Sequence, residues 1–209
     1  MTEGYSQEYL AIMSESNKNG KILVFGSFDD EQGNYATQQV KISIESAQKL
    51  GKNYALFIFD STGGKISSLQ RFLGAIQIYK PEKDFYLVGY VSAQAYSAAF
   101  DLLQQMDWRV AHRASSLLVH YGTSGLTNFD QGMLWEKSSN ALAFEKSKIS
   151  MFMEMYLKRS GGKITKKQLH TLCLSNAAMT AQQAFEYGLV DEVVDTLPTS
   201  SFRPDYKLF

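Results

Sequence analysis

Ser97 stands within a run of small residues, Ala95-Tyr-Ser-Ala-Ala99, at the expected start of a helix. A hydroxyl there lies beside amide N–H groups that have no helical partner and near the positive end of the helix dipole. Both stabilise negative charge that develops during acyl transfer. Serine is equally a favoured helix cap, so the residue alone serves either use. A second candidate loop is Ser61-Thr-Gly-Gly-Lys65. Adjacent glycines let backbone N–H groups approach a ligand closely, as an anion nest or half of an oxyanion hole, or they make a tight strand-to-helix turn. It is not a phosphate-binding loop, because neither the glycine spacing nor a Lys-Ser/Thr ending is there. A base for the serine must come from three histidines. His120 closes the apolar run Leu117-Leu-Val119 ahead of Tyr121-Gly-Thr-Ser-Gly125, which lets it project at the same sheet edge. His112, in a polar connection, and His170, on a Lys-rich helix, read as solvated. Their spacing is not that of a zinc site.

The elements that must position these groups alternate between two periods. Lys21–Phe25, closed by Gly26, reads as a buried strand, and Tyr54–Phe59 is apolar on both faces, as a central parallel strand must be. A third strand is expected over about Phe85–Val91, with the small-residue stretch from Ser92 leading on into a helix. Short strands are expected at Trp108–Ala111 and Leu117–Val119, and a last one at Leu189–Val194. Between them, Ala36, Val40, Ile44 and Ala47 mark an amphipathic helix over Asn34–Leu50, and Ile66, Leu69, Leu73 and Ile76 mark another. A long helical pattern runs from about Asp130 to Arg159, stopped by Gly161-Gly162. Helices near Lys166–Leu172 and Ala181–Tyr187 follow. The result is an α/β domain built on mostly parallel strands. Residues 1–20 read as a mobile arm, 21–196 as the domain, and 197–209 as a tail without periodicity.

Composition excludes several classes of function. The 209 residues carry 21 Lys and Arg against 21 Asp and Glu, a net charge of zero, whereas a mainly electrostatic nucleic-acid binder shows a basic excess. Neutrality also removes one brake on self-association. One cysteine, Cys173, allows neither an internal disulfide nor a multi-thiolate metal site. No apolar run reaches the length of a membrane span, and the first residues lack a secretion signal pattern, so a cytoplasmic protein is expected. No cofactor is implied.

In chain order these segments resemble the proteolytic subunit of the Clp protease, a serine peptidase of the ClpP/crotonase superfamily. Lys21-Ile-Leu-Val-Phe-Gly26 resembles the family's first strand. Asp60-Ser-Thr-Gly-Gly-Lys65 resembles its Asn-Ser-Pro-Gly-Gly-Ser oxyanion loop, Ala95–Ala99 its nucleophile segment, and Leu117-Leu-Val-His120 its Met-Ile-His strand end. Met179-Thr-Ala-Gln-Gln-Ala-Phe-Glu-Tyr-Gly-Leu-Val-Asp191 is similar to its Met-Ser-Ala-x-Glu-Ala-x-x-Tyr-Gly-Leu-Ile-Asp signature.

The resemblance implies a fold of repeated β-β-α units with a protruding handle helix, here about residues 130–159. It implies Ser97 as nucleophile, His120 as general base, and Gly64 and Ala98 as oxyanion N–H donors. A rival register would put Ser92 or Ala93 at the nucleophile position. The Asp of the family's triad falls on Asn176, which can orient an imidazole but cannot stabilise imidazolium by charge. The implied activity is a self-compartmentalising endopeptidase acting on extended polypeptides, assembled as a heptameric ring or double ring and served by a AAA+ unfoldase ATPase. Asn176 also admits a catalytically weak or silent ring subunit. A crotonase-type acyl-CoA enzyme ranks last, since neither candidate loop offers a glutamate.

Overall fold

A computed structural model describes residues 7–81, 83–121 and 151–196. Among the described residues seven strands form one sheet: β1 (Lys21–Phe28), β2 (Tyr54–Gly64), β3 (Tyr86–Tyr96), β4 (Trp108–His112), β5 (Ser116–Leu118), β6 (Met179–Thr180) and β7 (Glu192–Val194). The order β1-β2-β3-β4-β7 is parallel throughout, as the βα alternation requires. The helices are α1 (Gln7–Lys18), α2 (Asp30–Lys49), α3 (Ile66–Tyr79), α4 (Ala98–Leu103), α5 (151–159), α6 (Lys166–Ser175) and α7 (Ala181–Glu186).

One face of the sheet carries the main core. Ala36, Val40, Ile44 and Ala47 of α2, the stripe the periodicity marked, are buried against Phe57 and Phe59 of β2, with Leu69 and Phe72 of α3 beside them. Alternate residues of the same strands (Leu56, Val88, Tyr90 and Val110) form a smaller cluster on the other face.

Several strands differ from expectation, and the differences matter for the site. β1 does not stop at Gly26; a bulge there, with φ of 66° at the glycine, lets the strand continue to Phe28. β2 likewise runs through the glycine segment expected to be a turn, because Gly63 and Gly64 pair with Ser27 and Phe28. β3 extends to Tyr96 rather than ending near Val91. Its first half pairs with β4 and its last residues with β5, so one strand serves two neighbours in succession. The arm expected over residues 1–20 contains α1, whose Met13 is buried and whose Asn17 accepts a hydrogen bond from Ser43 of α2 (3.2 Å). Residues 1–6, the tail from 197 and the handle as far as 150 lie outside the described residues; 151–159 are helical.

The C-terminal signature has a physical content. Met179 is buried and pairs with Leu117, forming β6, a strand the sequence did not suggest. Thr180 and Gln183 make a capping box that starts α7. Gly188 has φ of 68°, and a Cβ there would lie 2.3 Å from the Ser160 carbonyl oxygen, so only glycine fits. Asp191 then meets Arg109, which is 3% exposed, through Nε (2.9 Å) and a terminal guanidinium nitrogen (2.5 Å).

Candidate functional site

The site forms where three strands end together, at the carboxyl edge of a parallel sheet. β3 delivers Ser97. Tyr96 pairs with Leu118 of β5, and the next amide, Ser97 N–H, donates to the Leu118 carbonyl at 2.9 Å. That register carries the chain two residues further to His120 beside Ser97. His120 Nε2 lies 2.6 Å from Ser97 Oγ, although 23 residues separate them.

Ser97 does not sit in a loop ahead of its helix. It is the single-residue elbow between β3 and α4, with φ 53° and ψ −125°. This is a sparsely populated conformation for any residue with a Cβ, and it persists only where the surroundings over-determine it. Two backbone contacts do so here: the Leu118 bond, and Asp101 N–H donating to the Ser97 carbonyl at 3.0 Å, which winds the first turn of α4. As N-cap, Ser97 makes no side-chain capping bond, so its hydroxyl is left to face the imidazole.

Gly63 supplies the third constraint. It is buried with φ of 80°, and a Cβ there would stand 2.8 Å from Ala98 N and 2.8 Å from Ser97 Cβ. Its N–H is taken by Ser61 Oγ (3.1 Å), which itself donates to the Gly26 carbonyl (2.6 Å). Gly64, the residue expected beside the oxyanion, is exposed, and its own Cβ position faces the Phe28 backbone at 2.6 Å. The sequence pointed to the glycine pair but did not separate these roles; that Gly63 seats the elbow follows only from β2 continuing past Ser61.

Asn176 ends α6 in the left-handed conformation (φ 50°, ψ 30°), which asparagine tolerates better than most residues. Its exposed side chain lies near enough to His120 to favour the protonated imidazole. Nε2 faces Ser97, which leaves Nδ1 as the ring nitrogen open to a partner on the other side. Desolvation lowers the His120 pKa below the ordinary imidazole value, and Asn176 partly offsets this. The imidazole is thereby shifted toward its neutral form, the one able to accept a proton.

The remaining sequence candidates fall elsewhere. Ser92 lies within β3 and donates to the Phe59 carbonyl at 2.9 Å, a strand-to-strand bond. His112 Nε2 meets the Asp195 carbonyl oxygen (3.0 Å), and the exposed His170 bonds the Tyr121 hydroxyl through Nδ1. Among the described residues no cluster of three or more His, Cys, Asp or Glu could hold a metal ion, and no helix is long and apolar enough to cross a membrane.

An ionisable group missing from the sequence reading lies one turn beyond Ser97. Asp101 bonds the Tyr156 hydroxyl, and burial pushes its carboxyl up to about 7. Only a fold that brings α5 over α4 makes this visible.

A family model described as Clp protease matches residues 4–197, nearly the whole chain. No curated protein matches it.

Proposed function

The chain belongs to the Clp protease family, a family of serine peptidases, and from that premise we propose that it is a peptide hydrolase acting through Ser97, His120 and Asn176. The observation that carries this reading is the 2.6 Å approach of His120 Nε2 to Ser97 Oγ. That distance lies within the reach a general base needs for the proton it removes.

In the first step the Ser97 oxygen attacks the scissile carbonyl while His120 Nε2 takes the hydroxyl proton. The carbonyl oxygen becomes an oxyanion, met by the N–H groups of Gly64 and Ala98. Collapse expels the amine, protonated by His120, and leaves an acyl-Ser97 ester. Water, deprotonated by the same imidazole, then releases the peptide acid. Asn176 holds the ring through Nδ1 and keeps the proton there when its amide oxygen accepts. It adds no charge to stabilise imidazolium, so turnover is slower than a carboxylate would give.

The substrates in this reading are extended polypeptides, held by strand addition. The chain works as a homo-oligomeric ring of seven or a stacked pair of rings, fed by a AAA+ ATPase in the cytoplasm. A fluorophosphonate probe tests the chemistry directly. Wild-type protein becomes labelled at Ser97 and cleaves a fluorogenic peptide, and Ser97→Ala abolishes both while leaving assembly intact.

One observation favours a second reading. The exposed, neutral Asn176 in the orienting position fits a subunit that scaffolds an active partner. A folded oligomer that no fluorophosphonate labels would establish that reading and end the first.

A further inference from the structure

α4 has six residues, and Ala98, Ala99, Phe100, Leu102 and Leu103 are all buried. Apolar contacts of this kind fix how deeply a short helix sits, but they are non-directional and leave its rotation and slide weakly specified. The directional contact comes from Asp101, whose carboxyl oxygen Oδ1 accepts a hydrogen bond from the Tyr156 hydroxyl of α5. The Tyr156 ring is itself fixed, edge-on to Phe100 (5.5 Å between centroids) and stacked with Phe152 (6.4 Å). Asp101 begins where the elbow ends, since its N–H donates to the Ser97 carbonyl. A shift of the carboxyl is therefore passed to Ser97 through one hydrogen-bonded turn.

We propose that Asp101 and Tyr156 are positioning residues for Ser97, the tyrosine hydroxyl gripping the carboxyl one turn past the nucleophile and so tying its placement to α5. The proposal rests on the peptidase reading above and adds to it a residue pair outside the Ser97–His120–Asn176 set. The titratable groups turned toward Asp101 are Tyr156 from α5 and Cys173 from α6. Among the described residues no cation pairs with it. The protonated carboxyl is the competent form: ionisation leaves a desolvated charge with no counter-ion in the α4–α5 seam, and that charge lies one turn from the developing oxyanion. Asp101 titrates at about 7, above the depressed His120 pKa, so the two ionisations separate along the pH axis.

The test is the rate of Ser97 labelling by a fluorophosphonate from pH 5 to 9, with peptide hydrolysis in parallel, on the full chain. Wild type gains rate as His120 loses its proton and loses rate again above about 7. Asp101→Asn, which keeps shape and hydrogen bonding but cannot ionise, abolishes the upper decline. Tyr156→Phe lowers labelling and kcat by about tenfold with KM little changed, as a small misplacement of a reacting atom does. If wild type is labelled but both variants keep its rates and its pH profile, the proposal is overturned. If neither variant folds, the wild-type profile alone decides, and a single ionisation below 6.5 overturns it. A wild type labelled at no pH defeats the peptidase reading itself, an outcome distinct from these.

Discussion

Gly63 lies so close beneath the elbow that a Cβ on it would stand 2.3 Å from the Tyr96 carbonyl oxygen. The atoms met there are the Tyr96 carbonyl, the Ala98 nitrogen and the Ser97 Cβ, all on or next to backbone held by the β5 register and the first turn of α4, so they cannot yield as a flexible side-chain end would. Gly63→Ala is expected to cost about 2–4 kcal/mol of stability, the range of a substitution that must displace packed backbone. Gly51 separates this steric effect from the cost of φ alone. It has φ of 69° with nothing within 4 Å of its Cβ position, so Gly51→Ala should cost only about 1–2 kcal/mol. Urea denaturation measures both. Ser97 labelling should fall only in the Gly63 variant, and equal losses in the two would show that the elbow does not depend on close approach.

The depressed His120 pKa sets the acid limb of activity. A base must be neutral to accept the Ser97 proton, so kcat/KM should rise with pH through a value below the usual 6.5 and be fully developed by neutrality. Asn176→Asp places a charge beside the imidazole, which favours imidazolium and moves that limb upward. The reverse change in a Ser-His-Asp peptidase lowers turnover about 10⁴-fold. Because position 176 is exposed, water screens the added charge, and a gain of about 10–100-fold in kcat is expected here. A pH–rate profile of both proteins on one fluorogenic peptide checks the shift and the gain. An unmoved acid limb would mean that Asn176 does not orient the base.

Asp101 also leaves a signature in stability. Its carboxyl binds a proton more tightly folded, with a pKa near 7, than unfolded, with a pKa near 3.8. Between those values the native state holds more protons, so unfolding free energy falls as pH rises, and the contribution is gone above about 7. Asp101→Asn removes that dependence. The variant should gain about 1–3 kcal/mol relative to wild type at pH 8 and little at pH 4, read from urea melts at the two pH values. A pH-independent difference would place the carboxyl in water.

The parallel α/β framework was legible because its strands and helices obey the two hydrophobic periods, and the α2 stripe of Ala36, Val40, Ile44 and Ala47 is buried as its spacing requires. Ser97 was legible as a hydroxyl among small residues at a helix start, and His120 because it closes the apolar run Leu117–Val119. What could not be read was backbone that contradicts local composition. The glycines at 63 and 64 look like a turn, yet the pairing of Ser27 and Phe28 holds them in β2. Ser92–Tyr96 looks like a loop of small residues, but β5, taking over beyond the Val91 end of the β4 pairing, pairs with Gln94–Tyr96 and carries the strand across it. Asp101 was invisible for a related reason. On an otherwise apolar helix it reads as the solvated side, and only the approach of Tyr156 buries it.

Arg109 and Asp191 test whether the end of the C-terminal signature is structural. The Arg109 guanidinium reaches Asp191 through two nitrogens, and it donates also to Gln104 Oε1 (2.6 Å) and the Gly188 carbonyl (3.1 Å). The carboxylate accepts the Arg109 backbone N–H as well (2.8 Å), which locks α7 and the approach to β7 onto β4. With the arginine side chain 3% exposed, removing the carboxylate leaves a buried cation without a counter-ion. Asp191→Ala is therefore expected to cost about 3–5 kcal/mol, more than a surface pair could. Replacing both partners, Arg109→Met with Asp191→Leu, removes the stranded charge and should recover most of the loss, because apolar groups of similar volume substitute well for a buried pair. Thermal denaturation of the two variants distinguishes the cases. A single substitution within about 1 kcal/mol of wild type would show that water reaches the guanidinium and that the pair does not hold the C-terminal segment in place.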